Sequence, residues 1–365
     1  MKDAELLEQE LKKALNMNAA RINFIACFIV SLLKVCTVNF KAVAAAFPGK
    51  TSLDSNYKRI QRFFRFFPLN FETVAKFLSH LLPSKDAWFV VIDRTNWKFG
   101  KININILTLG VCHIKIAFPL LWEALPKKGN SNTNERIRLI DRFIKIFGTG
   151  KVKCLLADRE FIGTGWFGFL TEHGIVFRIR VKENFIVPNS KGIPVPVKIL
   201  FRHLKCGEYL IIKDRRKIPG HHLFITGAKL PTGEYLIIVT NAEHMTALED
   251  YKKRWQIETL FACLKTRGFN FESTHLSDLK RIEKLVALLA IGFCWCHLTG
   301  EWLNEQKEIN LKKHGRKSIS IFRCGLDKLR NVLFNLQNNI VTYKKLVCFF
   351  SGNYDNNLLL LNMSL

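Results

Sequence analysis

The apolar positions change their period along the chain, and the changes mark out its organisation. Residues 1–82 read as helical. Apolar side chains recur through Ile22–Phe40, and Thr51-Ser52-Leu53-Asp54 supplies helix-starting residues ahead of a basic, aromatic segment that stops at Pro68. Within that segment Ile60, Phe63, Phe64 and Phe67 share a helical face directed at a core. Arg59, Arg62 and Arg65 fall on the opposite side. From Trp88 the pattern turns to β. Trp88-Phe89-Val90-Val91-Ile92 is a short apolar run of the kind buried on both faces of a sheet, and it ends in Asp93. Ile102–Leu109 and Val111–Phe118 predict two further strands hinged near Gly110. An amphipathic helix follows, with Ile137, Ile140, Phe143, Ile144 and Phe147 on one face and Gly148 as its stop. Val152–Ala157 predicts a strand ending in Asp158, followed by a helix around Trp166–Glu172 and a strand over Ile175–Val181.

Three strands, helix, strand, helix, strand is the element order of a ribonuclease-H-like core. The expectation is therefore an α/β protein with a mixed-sheet catalytic core. Residues 182–240 interrupt it with Pro- and Gly-bounded runs at Glu208–Ile212, His222–Gly227 and Glu234–Thr240, which predict a β-rich insertion. Helix returns from Thr246 or Ala247. The organisation expected is a helical DNA-binding region over 1–82, the first part of the core over 83–181 and the insertion over 182–240. The second part of the core follows over 241–300, and a helical C-terminal region over 301–365.

Composition adds one strong constraint. At 365 residues, 48% hydrophobic and 24% charged, the chain is an ordinary globular one, but 56 Lys and Arg face 30 Asp and Glu, for a net charge of +26. A compact monomer so charged repels itself, which points to a polyanionic partner. The excess is dispersed: 12 basic against 6 acidic residues in 1–80, 10 against 4 in 182–240 and 13 against 7 in 276–365. Membrane-surface proteins concentrate such charge on one helix or tail, so DNA is favoured. Ten cysteines without a Cys-x-x-Cys pair, most among apolar neighbours, read as reduced core thiols. The N-terminus is charged and helical, unlike a signal peptide, and Ile22–Leu33 and Leu285–Gly300 are too short to span a bilayer. A soluble protein is expected.

Asp93 and Asp158 each end an apolar strand and each precedes an arginine, Arg94 and Arg159. Strand C-termini are where α/β sheets expose their sites, so two strands can present two carboxylates to one point. Taken alone, either aspartate is more simply a turn or helix cap. Together they are carboxylates that call for a divalent cation. A third comes from the segment Tyr251–Lys265. With Tyr251 at zero and roughly 100° per residue, Arg254 falls near −60°, Glu258 near −20° and Lys265 near −40°. On a continuous helix these four make one stripe of about 21 Å, apart from an apolar face of Ile257, Leu260 and Leu264. The stripe carries the residue types that hold a metal and nearby phosphates together.

Tyr-x2-Arg-x3-Glu-x6-Lys, present as Tyr251, Arg254, Glu258 and Lys265, resembles the signature of the insertion-sequence-4 family of bacterial DDE transposases. Asp93-Arg94-Thr95 and Ala157-Asp158-Arg159-Glu160-Phe161 are similar to that family's two aspartate motifs. Arg267-Gly268-Phe269, Glu272, Thr274-His275 and the stretch from His314 to Arg323 resemble its members too. The resemblance runs from about 57 to 330, and 353–365 match nothing in it.

The resemblance implies a catalytic triad of Asp93, Asp158 and Glu258 that holds two Mg²⁺ ions, with Mn²⁺ as the alternative. It implies in-line attack on a phosphodiester in cut-and-paste transposition, with the β-rich insertion typical of members that cut through a hairpin intermediate. Tyr251, Arg254 and Lys265 would grip phosphates beside the scissile position. For Arg94 and Arg159 a structural ion pair and a phosphate contact stand equally, and for Arg59 and Arg62 so do a solvated face and a phosphate contact. The partners implied are double-stranded DNA, as terminal inverted repeats and target, and a second copy in a synaptic homodimer, with no membrane. The setting is a bacterial cytoplasm, on the nucleoid when DNA is bound. A ribonuclease-H-like nuclease without strand transfer and a catalytically inactive DNA-binding relic are the competing readings.

Overall fold

The computed structural model describes residues 2–82, 86–218, 220–242, 245–313 and 315–351. In chain order the helices α1–α5 are Lys2–Ala14, Ala19–Val35, Phe40–Ala45, Leu53–Phe66 and Phe71–His80. Strands β1–β3 follow at Trp88–Phe99, Ile102–His113 and Ile116–Ala124, then α6 at Thr133–Phe147, β4 at Val152–Ala157, α7 at Thr164–Glu172 and β5 at Phe177–Val181. Strands β6–β10 are Ile186–Pro188, Pro194–Pro196, Tyr209–Ile218, His221–Lys229 and Tyr235–Thr240. The remaining helices, α8–α12, are Ala247–Lys252, Gln256–Leu264, Leu279–Gln306, Ile321–Phe334 and Leu336–Val347. The chain forms two compact units. One comprises residues 85–96 and 105–259, the other 1–84, 97–104 and 260–365.

The first unit is built on an eight-stranded sheet of order β3-β2-β1-β4-β5-β10-β9-β8. β1 pairs parallel with β4 and β4 parallel with β5, while β2 and β3 are antiparallel. The first five strands thus stand in the ribonuclease-H-like order expected from the sequence. Runs such as Val90-Val91-Ile92 and Cys154-Leu155-Leu156-Ala157 are wholly buried, as central strands require. α6 opens on a reciprocal cap, in which Asn132 accepts from the Glu135 N–H and Glu135 accepts from the Asn132 N–H. Leu139, Ile140 and Phe143 form its buried face.

The structure moves one boundary. The β2–β3 turn lies at Ile114 and Lys115, both with positive φ, and not at Gly110. Gly110 sits inside β2 at an irregularity of register, where an added Cβ would stand 3.1 Å from the Phe118 carbonyl oxygen. Here glycine marks close backbone approach rather than a turn. In the 182–240 segment the expected strands form, and β10, β9 and β8 continue the core sheet antiparallel from β5.

The second unit is helical. α10, 28 residues, is long and apolar enough to cross a membrane, but 89% of its most apolar window is buried. It is a core helix, packed against α2 and α11. At Gly300 and Gly325 a Cβ would fall 1.9 Å and 1.8 Å from the carbonyl oxygens of Ile321 and Cys296, so α10 and α11 touch backbone to backbone. Cys294 and Cys296 are buried thiols on α10, and all ten cysteines are free. On α4, Ile60, Phe63 and Phe64 are buried as expected and Arg62 and Arg65 are exposed. Arg59 departs from that pattern. It donates to the Asn23 Oδ1 at 2.7 Å and lies over the rings of Phe24 and Phe47. Its side of α4 meets α2, so it is a packed residue and not part of an open basic face. His314 lies outside the described residues, as do 353–365.

Candidate active site

β1 and β4 deliver the two aspartates side by side. Ile92 is in register with Ala157, the last residue of β4, and the next residue along the chain is Asp93 in one case and Asp158 in the other. Neighbouring strands run about 4.8 Å apart, so their carboxylates leave the sheet as neighbours. Both side chains are half-buried. Burial pushes the Asp93 carboxyl up to about 7, and Glu160 and Asp158 add to the rise while the Arg94 N–H and Arg254 oppose it. The Arg94 N–H donates to Asp93 at 2.7 Å.

Glu258 arrives by another route. The 251–264 segment is not one helix: α8 ends at Lys252, Lys253–Trp255 form a 3₁₀ turn, and α9 begins at Gln256. The expected continuous helix is thus interrupted at Lys253–Trp255, and α9 ends at Leu264, one residue short of Lys265. Tyr251 and Arg254 nevertheless meet the aspartates, and Glu258 is linked to Asp93 through Arg254. Arg254, buried, donates to Asp93 at 3.2 Å and to Glu258 at 2.6 Å. The Tyr251 hydroxyl donates to Asp158 at 3.2 Å. Burial works against the charged Arg254, but Tyr251, Glu258, Asp158 and Asp93 together hold its pKa above the ordinary value. Burial, reinforced by Asp158, raises that of Tyr251. Lys265 lies past the end of α9, in the helical unit, where it pairs with Glu272 at 2.8 Å and covers the Trp97 ring.

For Arg94 the structure favours the ion-pair reading. Its guanidinium engages both carboxylate oxygens of Glu160, at 3.0 and 2.9 Å, and also Asn105 and Asn130. Arg136, buried on α6, holds the same loop from below through the Glu160 and Ile162 carbonyls. Glu160, Asn105, Asn130 and Arg136 had no assigned role in the sequence reading. Only Glu160, inside the second aspartate motif and two residues after Asp158, carries a sequence signal that could find it. Arg159 is exposed and lines a cavity of about 780 Å³ with Asn130, Asp158, Glu160, Ile162 and Lys182.

The donor set fits a hard divalent cation by its chemistry: three carboxylates, and no thiolate or imidazole among these contacts. Asp93 and Glu258 already converge on one cationic group, the Arg254 guanidinium. In this arrangement no three His, Cys, Asp or Glu side chains among the described residues are close enough to share an ion. Arg254 bridges Asp93 and Glu258 in this arrangement. Its Nε is buried without a hydrogen bond.

No curated protein matches this sequence. Among solved structures, a cryo-EM structure of a piggyBac transposase synaptic complex with hairpin DNA is similar at a TM-score of 0.43 and 12% identity, over 97% of this chain and 75% of that one. The model of the transposase DDE domain family matches residues 85–295, a stretch that includes Asp93, Asp158, Tyr251, Arg254 and Glu258. That match covers more than half of the chain, and the protein belongs to the transposase DDE domain family.

Proposed function

We propose that the protein is a cut-and-paste transposase of the insertion-sequence-4 type, acting on the terminal inverted repeats of its own element. The observation that carries this reading is the side-by-side exit of Asp93 and Asp158 from β1 and β4, with Glu258 tied to Asp93 through Arg254. The net charge of +26 supports DNA as the substrate.

Asp93, Asp158 and Glu258 would hold the divalent cations, Mg²⁺ or Mn²⁺. When bound, such ions polarise the phosphodiester and stabilise charge on the attacking and leaving oxygens. The chain's own residues do the rest. Arg254, released from Asp93 and Glu258, turns its guanidinium to a phosphate oxygen, a partner it can engage with two N–H groups. Tyr251 holds the Asp158 carboxylate in orientation through its hydroxyl. Arg94, locked on Glu160, keeps its backbone N–H on Asp93. Arg159, exposed beside Asp158, would contact the DNA backbone.

A synaptic homodimer and residence on the bacterial nucleoid belong to the same proposal. It is tested with purified protein, Mg²⁺ and a plasmid carrying two copies of the element's ends, with a second plasmid as target. Excision of the segment and its joining to the target are expected. Cutting without joined product would favour a nuclease, and absence of both would favour an inactive DNA-binding relic.

A further inference from the structure

The helical unit contains a basic groove that the reaction does not use. Its deeper part is a cavity of about 490 Å³ bordered by the 38–41 segment, α4, and the 274–281 stretch leading into α10. Lys41, Arg65, Arg281 and His275 line it together with Tyr57 and Gln61, and none of the described residues lining it is a carboxylate. A second cavity of about 470 Å³ continues it, sharing Phe64, Arg65 and Arg281 and adding Lys280 and Lys284. Asp278 and Glu283 border this second part. Asp278 is committed to the backbone of α10, accepting from the Arg281 N–H at 2.9 Å.

Cations on three separate elements thus surround one concavity. A solvated basic face is normally convex and relieved by nearby acids. This one is concave, and its cations crowd one another. Lys284 is held below its ordinary pKa, by burial first and then, despite Asp278, by Arg281 and Lys280. The helical phase of α4 agrees. Tyr57, Gln61, Phe64 and Arg65 lie within about 100° of arc, and Arg59 lies roughly 175° from their centre.

We infer that this groove, lined by Lys41, Arg65 and Arg281, is a docking site for the phosphate backbone of duplex DNA. The inference rests on the transposase reading and moves the DNA contact of α4 from Arg59 to the Arg65 side. The groove is an addition to the catalytic carboxylates, since its cations meet phosphates and take no part in the chemistry.

The test is the salt dependence of binding to element-end DNA, by fluorescence anisotropy with full-length protein. Removing one cation that pairs with a phosphate should flatten the slope of log K against log salt by about 0.9. Replacing Lys41, Arg65 and Arg281 by Ala together should therefore flatten it by nearly three and weaken binding in low salt. K344E, which alters an exposed lysine outside both cavities, should leave the slope near wild type. An independent readout needs no variant. DNA should shield Lys41 and Lys280 of the wild-type protein from an amine-reactive label, while Lys344 stays reactive. An unchanged slope in a folded triple variant, or equal labelling with and without DNA, overturns the groove. If the wild type cuts and joins element ends in the same preparation, only the groove has failed. A wild type that binds no DNA contradicts the functional reading itself.

Discussion

If Asp93 holds the divalent cation proposed above, its raised pKa makes both metal affinity and stability depend on pH. An aspartate with an ordinary value of 3.8, moved to about 7 by burial, keeps its proton at pH 5.5 and has lost it at pH 8. A divalent cation needs the carboxylate. With a pKa of 7, Asp93 is about 3% ionised at pH 5.5 and about 90% at pH 8. The apparent affinity for Mg²⁺ should therefore fall about 30-fold between pH 8 and pH 5.5, or about 2 kcal/mol. The metal-free protein should show the complementary trend. Its folded state holds the proton more tightly than the unfolded chain. The stability this confers is full below about pH 4 and is lost as pH rises through 7. A shift of about three units corresponds to about 4 kcal/mol across that window. Calorimetric titration with Mg²⁺ at the two pH values measures the first quantity, and denaturant unfolding in chelator across pH 4–8 measures the second. Asp93→Asn should flatten both profiles. A Mg²⁺ affinity that is the same at pH 5.5 and pH 8 would show that Asp93 is not a ligand with a displaced proton.

Two further outcomes follow from contacts described above. Glu160→Gln leaves the largely buried Arg94 facing a neutral amide, so stability should drop by about 3 kcal/mol in a denaturant titration. Cleavage should fall too, because the loop that holds Asp158 loses its clamp. Gly325→Ala would force a Cβ to within 1.8 Å of the Cys296 carbonyl oxygen, which no rotamer relieves, so the α10–α11 contact must open. A loss of at least about 2 kcal/mol is expected by thermal or denaturant unfolding, with no direct effect on metal affinity per folded molecule.

Much of the catalytic unit was legible because buried parallel strands have a distinctive pattern. Val90-Val91-Ile92 and Cys154-Leu155-Leu156-Ala157 could hardly be anything but central strands, and each is followed by an aspartate. What escaped the sequence were features set by tertiary contact. The turn at Ile114–Lys115 carries none of the usual turn residues, so Gly110 drew the boundary to itself. The 3₁₀ turn at Lys253–Trp255 has no sequence marker, and nothing in the spacing of Lys265 reveals that α9 stops one residue before it or that it belongs to the other unit. Arg59 matches Arg62 in period, and only the presence of Asn23, Phe24 and Phe47 beside it separates the two. The Arg94–Glu160 clamp spans 66 residues and could not be read from either end alone.

In the proposed reaction Asp93, Asp158 and Glu258 act together as metal-holding carboxylates. The most direct measurement is single-turnover cleavage of element-end DNA by Glu258→Gln in Mg²⁺, run beside a binding titration on the same DNA. The substitution keeps shape and hydrogen-bonding capacity and removes one negative charge. It should leave DNA binding equal to wild type or tighter, while cleavage falls by at least about a thousandfold, or about 4 kcal/mol of transition-state stabilisation. Wild-type cleavage by Glu258→Gln would contradict the account.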